Sequence, residues 1–236
     1  MLLIIPTFNN FTYTRNTIDR FQNLVDDIMV LDNASTYEPM LDYLDSIDGD
    51  VEVKRYESNE GPRRFYNDKW FYWDLPYQFL VTDPDLEFDD RLDRQALDHL
   101  FELTEELSAY KIGSALSLDL DEDNVLDDGL VWCGRATNVR EIEAAYYGNP
   151  ISTKTKYGDR IYVANIDTTF AAYNRLHETG FMDTNYRVDG RYLAKHYGWL
   201  KNPPIPKDEA DYYTMITESS QFSSSETTKR GKNYDY

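Results

Sequence analysis

Short apolar runs and helix-spaced apolar positions take turns along the first half of the chain. Leu2 to Ile5 is a buried-strand run that breaks at Pro6, after which Ile18, Phe21, Leu24 and Val25 recur at helical spacing and predict a helix from about Thr14 to Asp26. Ile28 to Leu31 repeats the strand pattern, Met40, Leu41, Leu44 and Ile47 the helical one, and Val51 to Val53 the strand again. This alternation predicts a parallel α/β sheet with right-handed crossovers. A turn at Asn59 to Arg64 opens a short aromatic helical segment through Trp73. Phe79-Leu80-Val81 reads as a fourth strand, and Leu92, Ala96, Leu100, Leu103 and Leu107 mark a helix before a strand from Lys111 to Leu118.

The second half is less regular. Residues 119–160 show no clear period and read as long loops over the sheet edge, which in a compact domain usually carry function. Ile161 to Ile166 and Thr168 to Tyr173 read as extended, Tyr186 to Leu200 as a helix or broken helix. The polar stretch 217–236 reads as a disordered tail. The pattern therefore predicts one α/β domain over 1–216, with a ligand-binding half at 1–118 and a second half at 119–216.

One run stands apart because of how it ends. Phe79-Leu80-Val81 is followed by Thr82 and then by Asp83-Pro84-Asp85, and Pro84 forbids further ladder bonding. Two carboxylates one residue apart at a sheet's rim repel each other unless a cation lies between them, and oxygen ligands suit Mg²⁺ or Mn²⁺. The same spacing recurs at Asp48/Asp50, Asp119/Asp121 and Asp121/Asp123, but only the pair at 83 and 85 follows an apolar strand.

Charge narrows the partners. A net charge of −19 over 236 residues disfavours nucleic acid and anionic membranes. The single Cys133 forms no internal disulfide, no run reaches the length of a membrane span, and Met1-Leu-Leu-Ile-Ile lacks the basic leader of a signal peptide. A cytoplasmic location is the expectation.

The motifs now fall into a recognisable order. Ile5-Pro-Thr-Phe-Asn9, Leu31-Asp-Asn33, Asn59-Glu-Gly61 and Asp83-Pro-Asp85 follow successive strands over about the first 90 residues. Together they resemble the GT-A (Rossmann-like) fold glycosyltransferases of the family 2 type, which use nucleotide-diphospho-sugars. The resemblance implies a donor site formed by Pro6, Thr7, Phe8, Asn9, Asp32, Asn33, Asn59, Gly61 and Asp83, with a UDP base read by Asp32 and by backbone near Thr7. Asp32-Asn33 also suits a plain turn cap. Arg63 and Arg64 carry guanidinium forks for base or diphosphate oxygens, or are simply surface charges.

The resemblance further implies that Asp85 binds the cation, Mn²⁺ or Mg²⁺, with Asp83 on the ribose or acting through water. It puts a catalytic base, which an inverting transfer needs, near Tyr186 to Trp199. Asp189 is the candidate there, although the family's Glu-Asp pair is here Val188-Asp189, and Asp167 competes. His196 lies seven residues after Asp189, two turns on along a continuous helix, and is the candidate third metal ligand. Trp132, Arg135 and Trp199 are candidates for a saccharide acceptor pocket. A sugar nucleotidyltransferase would need a Gly-rich basic loop where Pro6-Thr-Phe-Asn-Asn10 stands. A haloacid-type phosphatase would need Thr or Val where Glu87 stands. A binding module without catalysis is the non-enzymatic alternative.

Overall fold

The computed structural model describes residues 1–121, 124–125, 130–132, 135–181 and 185–216, without the side chains of 130–132, 135–136 and 214; the stretch read as a tail lies outside it. The strands and helices follow in order as β1 (Leu2–Thr7), α1 (Phe11–Phe21), β2 (Asp27–Asp32), α2 (Glu38–Ile47), β3 (Glu52–Arg55), α3 (Arg64–Asn67), α4 (Lys69–Asp74), β4 (Gln78–Val81), β5 (Leu86–Phe88) and α5 (Arg94–Glu106). There follow β6 (Lys111–Ser114), β7 (Leu130–Trp132), β8 (Arg135–Thr137), α6 (Val139–Tyr146), β9 (Pro150–Lys154), β10 (Arg160–Val163), β11 (Ala171–Asn174), β12 (Asn185–Val188), β13 (Ala194–His196) and α7 (Lys207–Ile216).

The main sheet runs β3-β2-β1-β4-β11-β6-β12-β10-β9. β1 to β4 pair in parallel, as do β6 and β12, while β11 and β10 run against their neighbours. This is the mostly parallel α/β sheet that the pattern predicted. Both faces are covered, which explains the unbroken apolar runs. Leu3, Ile5 and Leu80 pack with Ile18, Phe21, Met40, Leu44, Leu97 and Leu100 of α1, α2 and α5. Ile4, Leu31, Phe79 and Val81 face Phe65, Tyr72 and Tyr173 on the other side. At Gly113 the chain has no choice of residue, because a Cβ there would run into the Phe170 carbonyl just before β11.

The second half departs from the sequence reading. Tyr186 to Leu200 is not a helix: β12 ends at Val188, Gly190 takes a φ of 65°, and the chain then forms two single 3₁₀ turns around β13. The left-handed glycine is what stops helical propagation. Nor is 119–160 all loop, since it holds the β7–β8 hairpin, α6 and edge strand β9. α6 is anchored by an ion pair of 2.5 Å between buried Glu143 and Arg187 of β12. Among the described residues no helix is long and apolar enough to cross a membrane.

Lys111 on β6 is wholly buried. Its Nζ donates to the Ile166 carbonyl at 2.5 Å and lies 3.7 Å from the centre of the Phe181 ring. Burial pushes its amine down to about 7, with nearby Asp167 opposing and Arg63 and Arg187 reinforcing. An unfolded lysine titrates near ~10.4, so from about pH 7 to 10 the unfolded chain binds the extra proton and this residue makes stability rise with pH. Lys111→Met should remove that contribution. Urea unfolding across this range should show wild type gaining stability relative to the variant, and parallel pH profiles would contradict it.

Candidate active site

Because β1, β2, β3, β4, β6 and β12 point the same way, their carboxyl ends share one rim, the place where open α/β sheets bind ligands. The acidic couple leaves β4 there. Thr17 of α1 donates its hydroxyl to the Pro84 carbonyl at 2.8 Å and fixes the turn between the two acids. β5 then pairs with β13 in the register Leu86↔His196, and Tyr197 N–H donates to the Asp85 carbonyl at 2.9 Å. A residue more than a hundred positions away is thus delivered beside Asp85 by strand pairing, not by the helix expected from the sequence.

One ligand atom each from Asp83, Asp85 and His196 lies within 4.8 Å of the others. His196 is buried against Trp199, ring on ring at 4.8 Å and 9° between planes. Its Nδ1 is buried with no hydrogen-bond partner among the described residues and sits 3.6 Å from Asp85 Oδ2, too far for a hydrogen bond. A buried orphan nitrogen beside two carboxylates is costly in an apo protein and is the donor set of a divalent ion. Gly198 completes the cradle, since a Cβ there would run into Asp85 Oδ2 and crowd the His196 ring. Burial pushes the Asp83 carboxyl well up, the charges of Asp85 and Asp167 adding to it and a 3.0 Å hydrogen bond from Thr168 opposing.

The loops expected to hold a donor come together at the same rim. Asn9, at a φ of 58°, accepts from Thr36 N–H at 2.7 Å and Tyr37 N–H at 2.8 Å. Asp32 Oδ1 accepts from Ser35 N–H at 3.0 Å, a turn-capping bond. Asn33 joins two loops, its backbone N–H on the Thr7 carbonyl at 2.9 Å and its amide on the Gly61 carbonyl at 3.3 Å. Pro6 and Thr7 are buried and Phe8 half-buried, while Asn59 accepts from Gly61 N–H at 2.9 Å.

The two arginines diverge. Arg63 grips Asp167 through both carboxylate oxygens at 2.5 and 2.8 Å, while Arg64 turns to Glu60 and lies over the Tyr56 ring. Asp189 accepts from Arg160 N–H and Nε at 2.8 and 3.0 Å and from the Tyr162 hydroxyl at 2.9 Å. Trp132 and Arg135 lie on the β7–β8 hairpin, with their side chains outside the description.

Sequence reasoning missed several rim residues. Thr168 and Gly198 matter only through what they touch. Glu209 of α7 is buried and accepts from Thr12 N–H at 2.9 Å and the Thr12 hydroxyl at 2.5 Å. It thereby fills the anion position at the N-terminus of α1, which many nucleotide-binding folds leave for phosphate. Tyr212 of the same helix lies on Tyr37, 4.8 Å between ring centres. No local pattern announces a contact across 197 residues.

The mostly parallel sheet flanked by helices matches the fold of solved GT-A structures. Residues 2–114, just under half of the chain, match the model of glycosyl transferase family 2. A crystal structure of GalNAc-T7 with UDP, GalNAc and Mn²⁺ superposes with a TM-score of 0.52 at 14% identity, over 92% of this chain and 48% of that one. A crystal structure of TarS 1-349 from S. aureus superposes at 0.49 and 11% identity, over 84% of this chain and 60% of that one. The chain thus spans about half the length of the GalNAc-T7 chain. No curated protein matches it.

Gly198→Ala should weaken Mn²⁺ binding by about tenfold or more, because the added methyl displaces Asp85, while the melting temperature stays near wild type. Unchanged Mn²⁺ affinity by isothermal titration would contradict it.

Proposed function

We propose that the chain transfers a sugar from a nucleoside-diphosphate donor, UDP-linked, to a hydroxyl of a saccharide acceptor, with Mn²⁺ or Mg²⁺ held by Asp83, Asp85 and His196. The unpartnered His196 Nδ1 facing Asp85 is the observation that carries this reading. When bound, the cation neutralises charge that gathers on the departing diphosphate. Glu209 supports the same conclusion. With the α1 terminus already occupied by a carboxylate and a net charge of −19, the described rim leaves little fixed positive charge for a diphosphate.

The remaining roles follow from position. Asp32 accepts the N3–H of uracil through Oδ2, the oxygen that Ser35 leaves, while Asn9 and Asn33 keep the base loops in register. Asn59 and Gly61 shape the third loop. Arg63, held in its fork by Asp167, stands over the Phe181 ring and presents charge to the donor from the third loop. Arg64 braces that loop through the Ser58 carbonyl.

Asp189 is the base. β12 lies three strands from β4, about 14 Å at ~4.8 Å per strand, so a sugar fits between the cation ligands and this carboxylate. The competitor Asp167 precedes Thr168, which bonds Asp83, and so flanks the cation ligands instead of facing them across the sugar. A base opposite the leaving group makes the transfer inverting. The exposed Arg160 guanidinium is the screened partner of Asp189, while the Arg160 N–H and the Tyr162 hydroxyl hold the carboxylate in place. Trp132, Arg135 and Trp199 contribute to the acceptor side.

Asp189→Asn should lower transfer by roughly 10² to 10⁴-fold with UDP affinity retained, whereas Asp167→Asn should act on donor KM by loosening Arg63. Near wild-type turnover in Asp189→Asn would remove it from the role. Asp85→Asn should abolish the Mn²⁺-dependent part of UDP binding in calorimetry, and an unchanged difference with and without Mn²⁺ would refute the ligand assignment.

A further inference from the structure

At the end of the sheet opposite the rim, large apolar side chains stand in solvent. Trp70 is 92% exposed, Trp73 65%, Tyr77 63% and Leu176 65%. Trp70 and Trp73 are three residues apart on α4 and share a side of it. Arg175, directly after β11, draws the rest together. Its guanidinium lies 5.6 Å from the Trp73 ring centre and 5.3 Å from that of Tyr77, and donates to the carbonyls of Tyr72 and Leu75. Its backbone N–H donates to the Tyr77 carbonyl at 2.9 Å. The Trp73 and Tyr77 rings are therefore held by Arg175, while Trp70 projects beside them into solvent.

Exposed aromatic groups of this kind mark a contact surface, and the physical setting selects among contacts. A stable protein interface needs about 800 Å² per partner and some 20 to 30 residues, far more than these four side chains supply, which argues against a second copy of the chain. An anionic bilayer or nucleic acid is repelled by a net charge of −19. Locally the patch is balanced, exposed Asp74 and nearby Glu178, which accepts from Tyr72, standing beside exposed Lys69 and half-buried Arg175, so no net charge there selects a charged partner. What remains is an uncharged ligand that offers flat C–H faces to rings and hydroxyls to the indole N–H and phenol O–H around them. A neutral glycan chain has that chemistry.

We propose that Trp70, Trp73 and Tyr77 form a glycan-holding surface separate from the reaction site. It binds a neutral saccharide chain by ring stacking, with Arg175 fixing the Trp73 and Tyr77 rings. Rigid aromatics lose little conformational freedom on binding, so a small platform can retain a polymer. From Gln78 to Asp83 the chain spans about 17 Å at ~3.3 Å per residue, so a glycan bound here reaches the rim only if it is several sugars long. The inference rests on the reading of the chain as an enzyme acting on saccharides, but its test needs neither donor nor cation.

Affinity electrophoresis of the full chain through gels cast with dextran, mannan or xyloglucan, with EDTA present, provides that test. At least one neutral polysaccharide should retard the wild type and Asp85→Asn equally, and Trp70→Ala/Trp73→Ala should weaken that binding by about tenfold. Trp73→Phe, which keeps a ring, should retain most of it, and the melting temperatures of all variants should match. Retardation by none of the three, or retardation unaffected by the double substitution, would overturn the proposal. So would tryptophan-dependent binding to phosphatidylcholine/phosphatidylglycerol vesicles or a tryptophan-dependent dimer on size-exclusion chromatography. Loss of UDP binding in the wild type would instead count against the transferase reading and leave this result standing.

Discussion

Two like charges one residue apart at the mouth of a strand are the constraint around which the molecule is arranged. β4 is apolar and covered on both faces, so its exit is fixed by the core. Pro84 ends its ladder and Thr17 holds the turn, leaving Asp83 and Asp85 no freedom to separate. The repulsion must be met by a proton or a cation. Burial first, and the Asp85 charge second, raise the Asp83 carboxyl toward the protonated form, and the facing His196 Nδ1 equips the site for a cation.

The surrounding structure supports this arrangement piece by piece. β13 pairs along β5 and is tied to the chain just past β6, where Ala194 N–H donates to the Ala115 carbonyl at 3.1 Å and Ser117 N–H donates to the Ala194 carbonyl at 2.7 Å. His196 is thereby placed by backbone bonds and pressed flat by Trp199. Thr168 reaches Asp83 from the loop whose preceding residue, Asp167, grips Arg63. The loop carrying Arg63 and the acids are therefore coupled through one short run, Ile166 to Thr168, whose carbonyl at Ile166 is held by buried Lys111. α7 closes the opposite flank by placing Glu209 on α1.

The first half of the fold was legible because it follows simple periodicities. Unbroken apolar runs gave β1, β2 and β4, and helix-spaced leucines gave α5. The second half was not, for physical reasons. Tyr186 to Leu200 has apolar residues at spacings compatible with a helix, yet Gly190 at positive φ and pairing of Ala194 to His196 with β5 impose strand geometry. Tertiary pairing over a hundred residues outweighs local preference. The Asp83/Asp85 couple was visible from its strand context, and His196 from its residue type, but the route that unites them was misread. Glu209, Thr168 and Gly198 carried no sequence signal because their roles exist only through contacts.

The central claim is that donor binding and cation binding are one event at this acidic couple. Thermodynamic linkage makes the claim reciprocal: whatever factor Mn²⁺ adds to UDP affinity, UDP must add to Mn²⁺ affinity. Calorimetric titration of UDP into the wild-type chain, in EDTA and then in saturating Mn²⁺, measures that factor directly. The account predicts a gain of about a hundredfold, ~2.7 kcal/mol, mirrored in the Mn²⁺ titration with and without UDP. Equal UDP affinity under both conditions would contradict it.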